Sequence, residues 1–397
     1  MTATVAAVGW SADADAAAAG RAAARLALMP LDGRPPRCAI VFGSAWYNQP
    51  ALLEGVRGVL GQIPLVGGST AGEIVPDGPR THSCAVLALA SDEVSVSVGS
   101  GRHVGRDPRT AGHEAAYQSL QGFNGDSRKG FLLFGDGLAM RYVEVFRGLR
   151  EVLGTSFLCA GGLMADELQF RHTSQYTPQG VVSDAVVGLL LGGECAIGVG
   201  LEHGFSPISK PRRITRSRAN VLQELDGHPA SSVYEEYFGA DLMTSVKQTT
   251  LTRQLIAYPL GIRLQLDAST APALRTIMAF GPDGSLVCTG EVPEGAWVQL
   301  MIGSKALALE AAAAAAQAAI RPLRRVRFAL VFISAVRKRL LGHAAPQEVA
   351  AIRRVLGQDV PFVGCYTYGE QASLHGSVGG GDPMIQTGSC LVIAVGS

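Results

Sequence analysis

The chain has no cationic leader, no long apolar run, no paired cysteines and almost no net charge, and each absence removes a class of protein. Its first residues, Met1-Thr-Ala-Thr-Val, lack the positive region of a secretory signal, and Asp13 and Asp15 interrupt the alanines that follow. No stretch reaches the roughly 18 apolar residues that a membrane span needs. The seven cysteines include no Cys-x-x-Cys, and Cys38, Cys84, Cys159 and Cys195 lie in apolar runs where free cysteine acts as a small buried hydrophobe. A reducing, cytoplasmic location is therefore expected. A formal charge of +1 gives no electrostatic reason to expect nucleic acid. There is no P-loop lysine and no Gly-x-Gly-x-x-Gly, which ranks nucleotide binding low. There is no Gly-x-Ser-x-Gly elbow, and none of the eight histidines forms His-x-x-x-His or Cys-x-x-His, so neither an esterase-type enzyme nor a zinc site is expected.

What is present is a repeat. Ile63-Pro-Leu-Val-Gly-Gly-Ser-Thr-Ala-Gly-Glu73 is echoed by Ser156-Phe-Leu-Cys-Ala-Gly-Gly-Leu-Met-Ala-Asp-Glu167 and by Val360-Pro-Phe-Val-Gly-Cys-Tyr-Thr-Tyr-Gly-Glu370. With Gly67, Gly161 and Gly364 aligned, Glu73, Glu167 and Glu370 coincide without a gap. Upstream, each copy carries one helix ending, Arg57-Gly-Val-Leu-Gly61, Arg150-Glu-Val-Leu-Gly154 and Arg353-Arg-Val-Leu-Gly357. Earlier still lies an apolar run, 38–42, 131–134 or 328–332, short and without polar alternation, as in a strand buried on both faces. Glycine after the last leucine suits a helix stop, and the spacing suits a right-handed crossover.

Length and pattern give an α/β, mixed α+β fold of three repeated βαβ units in two domains. Residues 1–29 read as a strand (4–8) and an alanine-rich helix (13–28) packing on the first domain. Residues 30–220 hold two repeats, each closed by a pair of strands, 84–90 with 94–99 and 185–191 with 195–201. Residues 221–397 hold an antiparallel sheet, with its hairpin turn at Gly281-Pro-Asp-Gly284, then a helix over 305–320 and the third repeat.

The order of these motifs resembles the FIST proteins, bacterial sensory modules with N- and C-terminal halves. The similar segments are Val66-Gly-Gly-Ser-Thr-Ala-Gly-Glu73, the copy from Gly161 to Glu167 with Thr173, Glu224-Leu-Asp-Gly-His-Pro-Ala230, Tyr258-Pro-Leu-Gly-Ile262, Arg275, Asp283-Gly-Ser-Leu286 and Gly364-Cys-Tyr-Thr-Tyr-Gly-Glu370. The resemblance implies small-ligand sensing inside the cell, non-catalytic, with an amino acid-like or other metabolite as ligand. It implies coupling to a histidine kinase, a cyclic-di-nucleotide enzyme or a chemoreceptor, here in trans. Some members resemble haem-based nitric oxide sensors, so haem stays open, with His172 as the best-placed axial ligand. A small-metabolite enzyme is the remaining alternative.

Candidate ligand contacts follow from position. Backbone N–H groups of Gly67, Gly68, Ser69 and Thr70, at the carboxyl edge of a parallel sheet, can receive an anion, although glycines there also simply allow a turn. Glu73, Glu167 and Glu370 can take a ligand ammonium or tie neighbouring turns. Cys365, Tyr366 and Tyr368 replace smaller residues of the first copy and bring two phenol rings to the third turn. Arg275 is a lone cation in an apolar strand and needs a carboxylate partner or a ligand anion. The expected pocket lies where the third repeat faces the antiparallel sheet.

Overall fold

The computed structural model describes residues 4–139, 141–239, 255–266, 271–372 and 385–397. Its core is three copies of one unit. In the first, the fully buried strands Cys38–Ser44 and Leu65–Thr70 pair in parallel around the helix Gln49–Leu60, which starts on the Asn48 cap and stops at Gly61. The closing strand Cys84–Ala90 pairs antiparallel with Cys38–Ser44, and the opening strand Val5–Ser11 pairs with that closing strand. The opening helix Ala16–Leu28, capped by Asp15, covers the sheet with its alanines.

The same order recurs twice. The second unit is Val94–Arg102, Pro108–Gln121, Arg128–Asp136, Tyr142–Leu153, Cys159–Met164 and Ala185–Gly193. The third opens with Ala196–Glu202 and resumes with Lys305–Ile320, Val326–Ser334, Ala345–Leu356, Phe362–Thr367 and Cys390–Gly396. Their place in the sequence puts 94–99 and 195–201 at the ends of the preceding repeats. The structure places both at the start of the next unit, because a strand's composition states that it is a strand and not which sheet receives it. Between the third unit's opening strand and its first helix lies an antiparallel sheet, with Arg212–Arg218, Val221–Leu225 and Trp297–Gly303 among its strands. It is packed over its own core of Ile214, Leu222, Tyr234, Leu260 and Leu300.

Two features join the units around a threefold pseudo-axis. Phe42, Phe134 and Phe332, each two residues before the end of its strand, form a triangle with ring centroids 5.9 to 6.1 Å apart. All three are fully buried, and each contributes about 1.5–3 kcal/mol by leaving water. The second feature is cyclic exchange. Glu73–Val75 of the first unit pairs with the third unit's Phe362–Thr367, Gln175–Thr177 of the second with the first unit's Leu65–Thr70, and Gly369–Ala372 of the third with the second unit's Cys159–Met164. The aligned glycines sit at these junctions, where the chain passes closest to its parallel neighbour. A Cβ on Gly67, Gly161 or Gly364 would lie 1.8, 1.9 or 2.0 Å from the carbonyl oxygen of Val41, Leu133 or Val331.

Exchange also explains the repeated arginine. Arg57 donates to the carbonyls of Thr177 (2.7 Å) and Pro178, gripping the turn of the hairpin that the second unit inserts. Arg353 grips the first unit's turn through Pro76 O (3.1 Å) and Asp77 (3.7 Å). The third unit's segment 373–384 lies outside the described residues. Arg57→Ala should therefore lower unfolding free energy by about 1–3 kcal/mol, as expected for charged hydrogen bonds at a partly buried joint. Urea denaturation checks this, and a loss below about 0.5 kcal/mol, the size of an ordinary surface substitution, would show that the clamp is idle. Among the described residues no helix is long and apolar enough to cross a membrane.

Candidate functional site

The carboxyl ends of the parallel strands meet at one end of the pseudo-axis, locked by matching backbone bonds. Ala71 N–H donates to Tyr366 O (3.0 Å), Ala165 N–H to Ser69 O (3.0 Å) and Tyr368 N–H to Leu163 O (3.0 Å), the same positions in each unit. Side chains gather above this ring. From the third unit, Lys338 on the helix Ala335–Leu341 donates its ammonium to Ala71 O at 2.6 Å and lies 5.0 Å over the Tyr366 ring. Burial lowers its pKa, and the nearby Glu73 and Glu167 carboxylates oppose that shift.

From the second unit comes the loop after Met164. Glu167, Leu168 and Phe170 have positive φ, a conformation that costs non-glycine residues roughly 1 kcal/mol or more each. Asp166 holds this loop by accepting the N–H groups of Phe170 (2.9 Å), Arg171 (2.6 Å) and His172 (2.9 Å) and the hydroxyl of Tyr368. Burial pushes the Asp166 carboxyl up, but the Tyr368 hydroxyl and the three amides outweigh it and leave the group below its ordinary range. Phe170 stacks on Tyr368 at 4.8 Å.

The first unit supplies Ser44, at the end of its buried strand, and His82. Ser44 Oγ donates to Glu167, whose second oxygen lies 3.6 Å from His82 Nε2. His82 stacks on Trp46 at 4.8 Å, and Trp46 is 63% exposed. A cation with one close acceptor and a partly exposed carboxylate thus lie at this end of the pseudo-axis, the mouth of the three units, with the rings of Trp46, Phe170 and Tyr368 beside them. Opposite charges placed this way complement a small molecule with separated charges.

The residues expected from sequence divide. Gly67, Gly68, Ser69 and Thr70 lie inside a fully buried strand flanked by Cys38–Ser44 and Gln175–Thr177, not in an open turn. Ser69 N–H is taken by Ser174 O (2.9 Å), so the expected anion nest is a hydrogen-bonded strand. Cys365 is fully buried in the central core, its thiol pKa pushed well up by burial, and it offers no surface to a ligand. Tyr366 is buried under Lys338, whereas Tyr368 reaches the mouth through Asp166. Arg275 is buried and donates to the carbonyls of Glu291 (2.8 Å), Leu274 (2.8 Å) and Ile385 (2.7 Å), tying the antiparallel sheet to the chain before its last strand. Burial lowers its pKa to about 10. None of these contacts joins Arg275 to Tyr366 or Tyr368.

The repeated carboxylates need one correction. Glu73 accepts the hydroxyls of Thr70 (2.5 Å) and Ser83 (2.5 Å), and Glu370 those of Thr367 (2.5 Å) and Ser389 (2.6 Å), so these two are equivalent and fully buried. Glu167 is not their counterpart. Strand register sets Glu73 against Cys365, Glu370 against Gly162 and Gln175 against Gly68, so the matching residue of the second unit is Gln175. The second unit has eight extra residues before that strand, and they form the Asp166 loop. His172 lies on the same loop, exposed, next to exposed Arg171. Ser44, His82, Asp166 and Lys338 were not singled out from sequence. For Ser44 a signal existed, since a polar residue closes each apolar run at 44, 136 and 334.

The family model of the FIST N domain matches residues 37–228 and that of the FIST C domain residues 230–373. The uncharacterized protein MJ1623 of Methanocaldococcus jannaschii is 28% identical over 218 residues, a stretch that spans 50% of this chain and 40% of that protein. Among solved structures, cyanuric acid hydrolase from A. caulinodans aligns over 100% of both chains at 10% identity and a TM-score of 0.35. PurLQS from Thermotoga maritima aligns over 99% of this chain and 72% of that one, at 12% identity and a TM-score of 0.22. Likenesses at those scores carry no argument.

Proposed function

The chain belongs to the FIST family, whose domains are associated with sensing in signal transduction, and from that premise we propose that it is a non-catalytic sensor of a small, charge-separated metabolite. The ligand binds at the three-unit mouth, its anionic group toward Lys338 and its cationic group toward Glu167, as an amino acid-like molecule would. The observation that carries this reading is convergence: Ser44 and His82, Asp166 and Glu167, and Lys338 and Tyr368 come from three different units. A molecule touching all three alters how they sit against one another, and that change is what a separate signalling enzyme, a kinase, cyclic-di-nucleotide enzyme or chemoreceptor, reads by contact.

A thermal-shift screen against amino acids and other small metabolites tests the proposal, since a ligand that binds only the native state raises its melting temperature. For a ligand found this way, Lys338→Ala should weaken binding at least about tenfold, the loss expected for one charge-assisted hydrogen bond, with the fold retained. Unchanged affinity in Lys338→Ala and in Glu167→Gln, by calorimetric titration, would place the ligand elsewhere.

A further inference from the structure

We propose that the seam between the first unit's turn 76–78 and the third unit's helix Ala345–Leu356 is a second binding site, for a small phosphorylated metabolite. A cleft of about 300 Å³ lies there, lined among others by Asp77, Gly78, Ala350, Arg353, Arg354 and Gln358. That volume is at the lower end of small-ligand pockets and leaves room for a small organic body beside a phosphate. Two guanidinium groups face one carboxylate. Arg353 holds Asp77 only loosely, at 3.7 Å, and its Nε is buried without a partner. Arg354 is exposed and has no carboxylate within 4.0 Å among the described residues.

Repetition supplies an internal control. The seam at the first unit's helix serves the same structural purpose, with Arg57 on the turn of the second unit's hairpin. Aligned on the clamp arginines, Arg354 corresponds to Gly58 and Ala350 to Glu54, so the third seam carries one more cation and one fewer anion than the first. The second unit has Glu151 in place of Arg354, bonded to Arg109 at 2.6 Å. Gripping a hairpin turn therefore needs neither Arg354 nor the removal of the acid. Tetrahedral phosphate oxygens can take both guanidinium forks and the Gln358 amide while the exposed Asp77 swings into solvent.

Isothermal titration of the whole chain with inorganic phosphate and with glycerol 3-phosphate, at fixed ionic strength, tests the site. Saturable binding is expected, with a Kd of about 1 mM or weaker for the bare ion and tighter for glycerol 3-phosphate, and with glycerol itself silent. Arg354→Gln and Ala350→Glu lie on the helix surface and should melt like the parent, yet each should weaken glycerol 3-phosphate binding at least about tenfold. Absence of saturable binding of both probes up to about 10 mM, a range that covers any affinity of cellular use, would overturn the proposal. So would an unchanged affinity in Arg354→Gln. Because neither Arg354 nor Ala350 is among the residues of the sensor mouth, their effects are separable from a failure of that reading.

Discussion

Replacing Arg337 by alanine should cost about 3–5 kcal/mol of unfolding free energy, the largest effect expected of any single polar substitution among the described residues. Arg337 and Glu348 are both fully buried, with Nη2 2.5 Å and Nε 2.7 Å from the same carboxylate oxygen. The guanidinium also donates to His203 O (2.7 Å) and to Ala308 O. One side chain thereby pins the helix Ala335–Leu341, the helix Ala345–Leu356, the helix Lys305–Ile320 and the end of the third unit's opening strand. Removing it strands a carboxylate in the core, whose pKa burial already raises despite the arginine. The double variant Arg337→Met/Glu348→Leu should recover most of the loss, since no charge is left unpaired, but not all of it, because the carbonyls of His203 and Ala308 lose a donor. Urea midpoints of the two variants decide the matter. A loss below about 1 kcal/mol in Arg337→Ala would show that water reaches the carboxylate and that the pair is not an anchor.

Arg337 also shows where sequence reading stops. The repeat itself was legible, because the apolar runs, the glycine stops and the aligned glycines are local consequences of buried strands, helix ends and close strand contact. The clamp arginines were visible as a pattern, yet their purpose was not, since Arg57 meets residues 120 positions away in the chain. Gapless counting aligned Glu167 with Glu73 and Glu370 because an eight-residue loop leaves no trace when the residue reached is again an acid. The allocation of 94–99 and 195–201 failed for a related reason: successive strands four residues apart normally form a hairpin, whereas here the chain steps from one sheet to the next. Of the mouth, Tyr368 was legible as an unequal member of the repeat. Lys338 has no counterpart in the other units, and only the fold brings it to Ala71.

Glutamine at position 175 already shows what a neutral side chain does at the exchanged-strand corner, and it leads to a pH dependence. Burial is the main force on the two matching glutamates, pushing Glu73 up to about 7 and Glu370 up to about 8 despite their hydroxyl partners. Unfolding returns both to about 4.5, so between roughly pH 4.5 and 8 the native state binds more protons than the unfolded chain. Stability should therefore fall as pH rises through that window, on the order of 3 kcal/mol for Glu73 and somewhat more for Glu370. His203 runs the other way. Its pKa is lowered to about 4, mainly by burial, so between about pH 4 and 6.5 the unfolded chain binds the extra proton and stability rises. Comparing variants with the parent cancels that term. Glu73→Gln and Glu370→Gln keep the shape, and an amide can still satisfy Thr70 with Ser83 or Thr367 with Ser389, because each hydroxyl both donates and accepts. Each variant should match the parent near pH 4.5 and exceed it at pH 8.5, by on the order of 3 kcal/mol for Glu73→Gln and somewhat more for Glu370→Gln, as urea denaturation at the two pH values would measure. A gap that does not widen with pH would mean that both glutamates are already ionised in the folded protein, with Lys338 near enough to Glu73 to hold its charge in place.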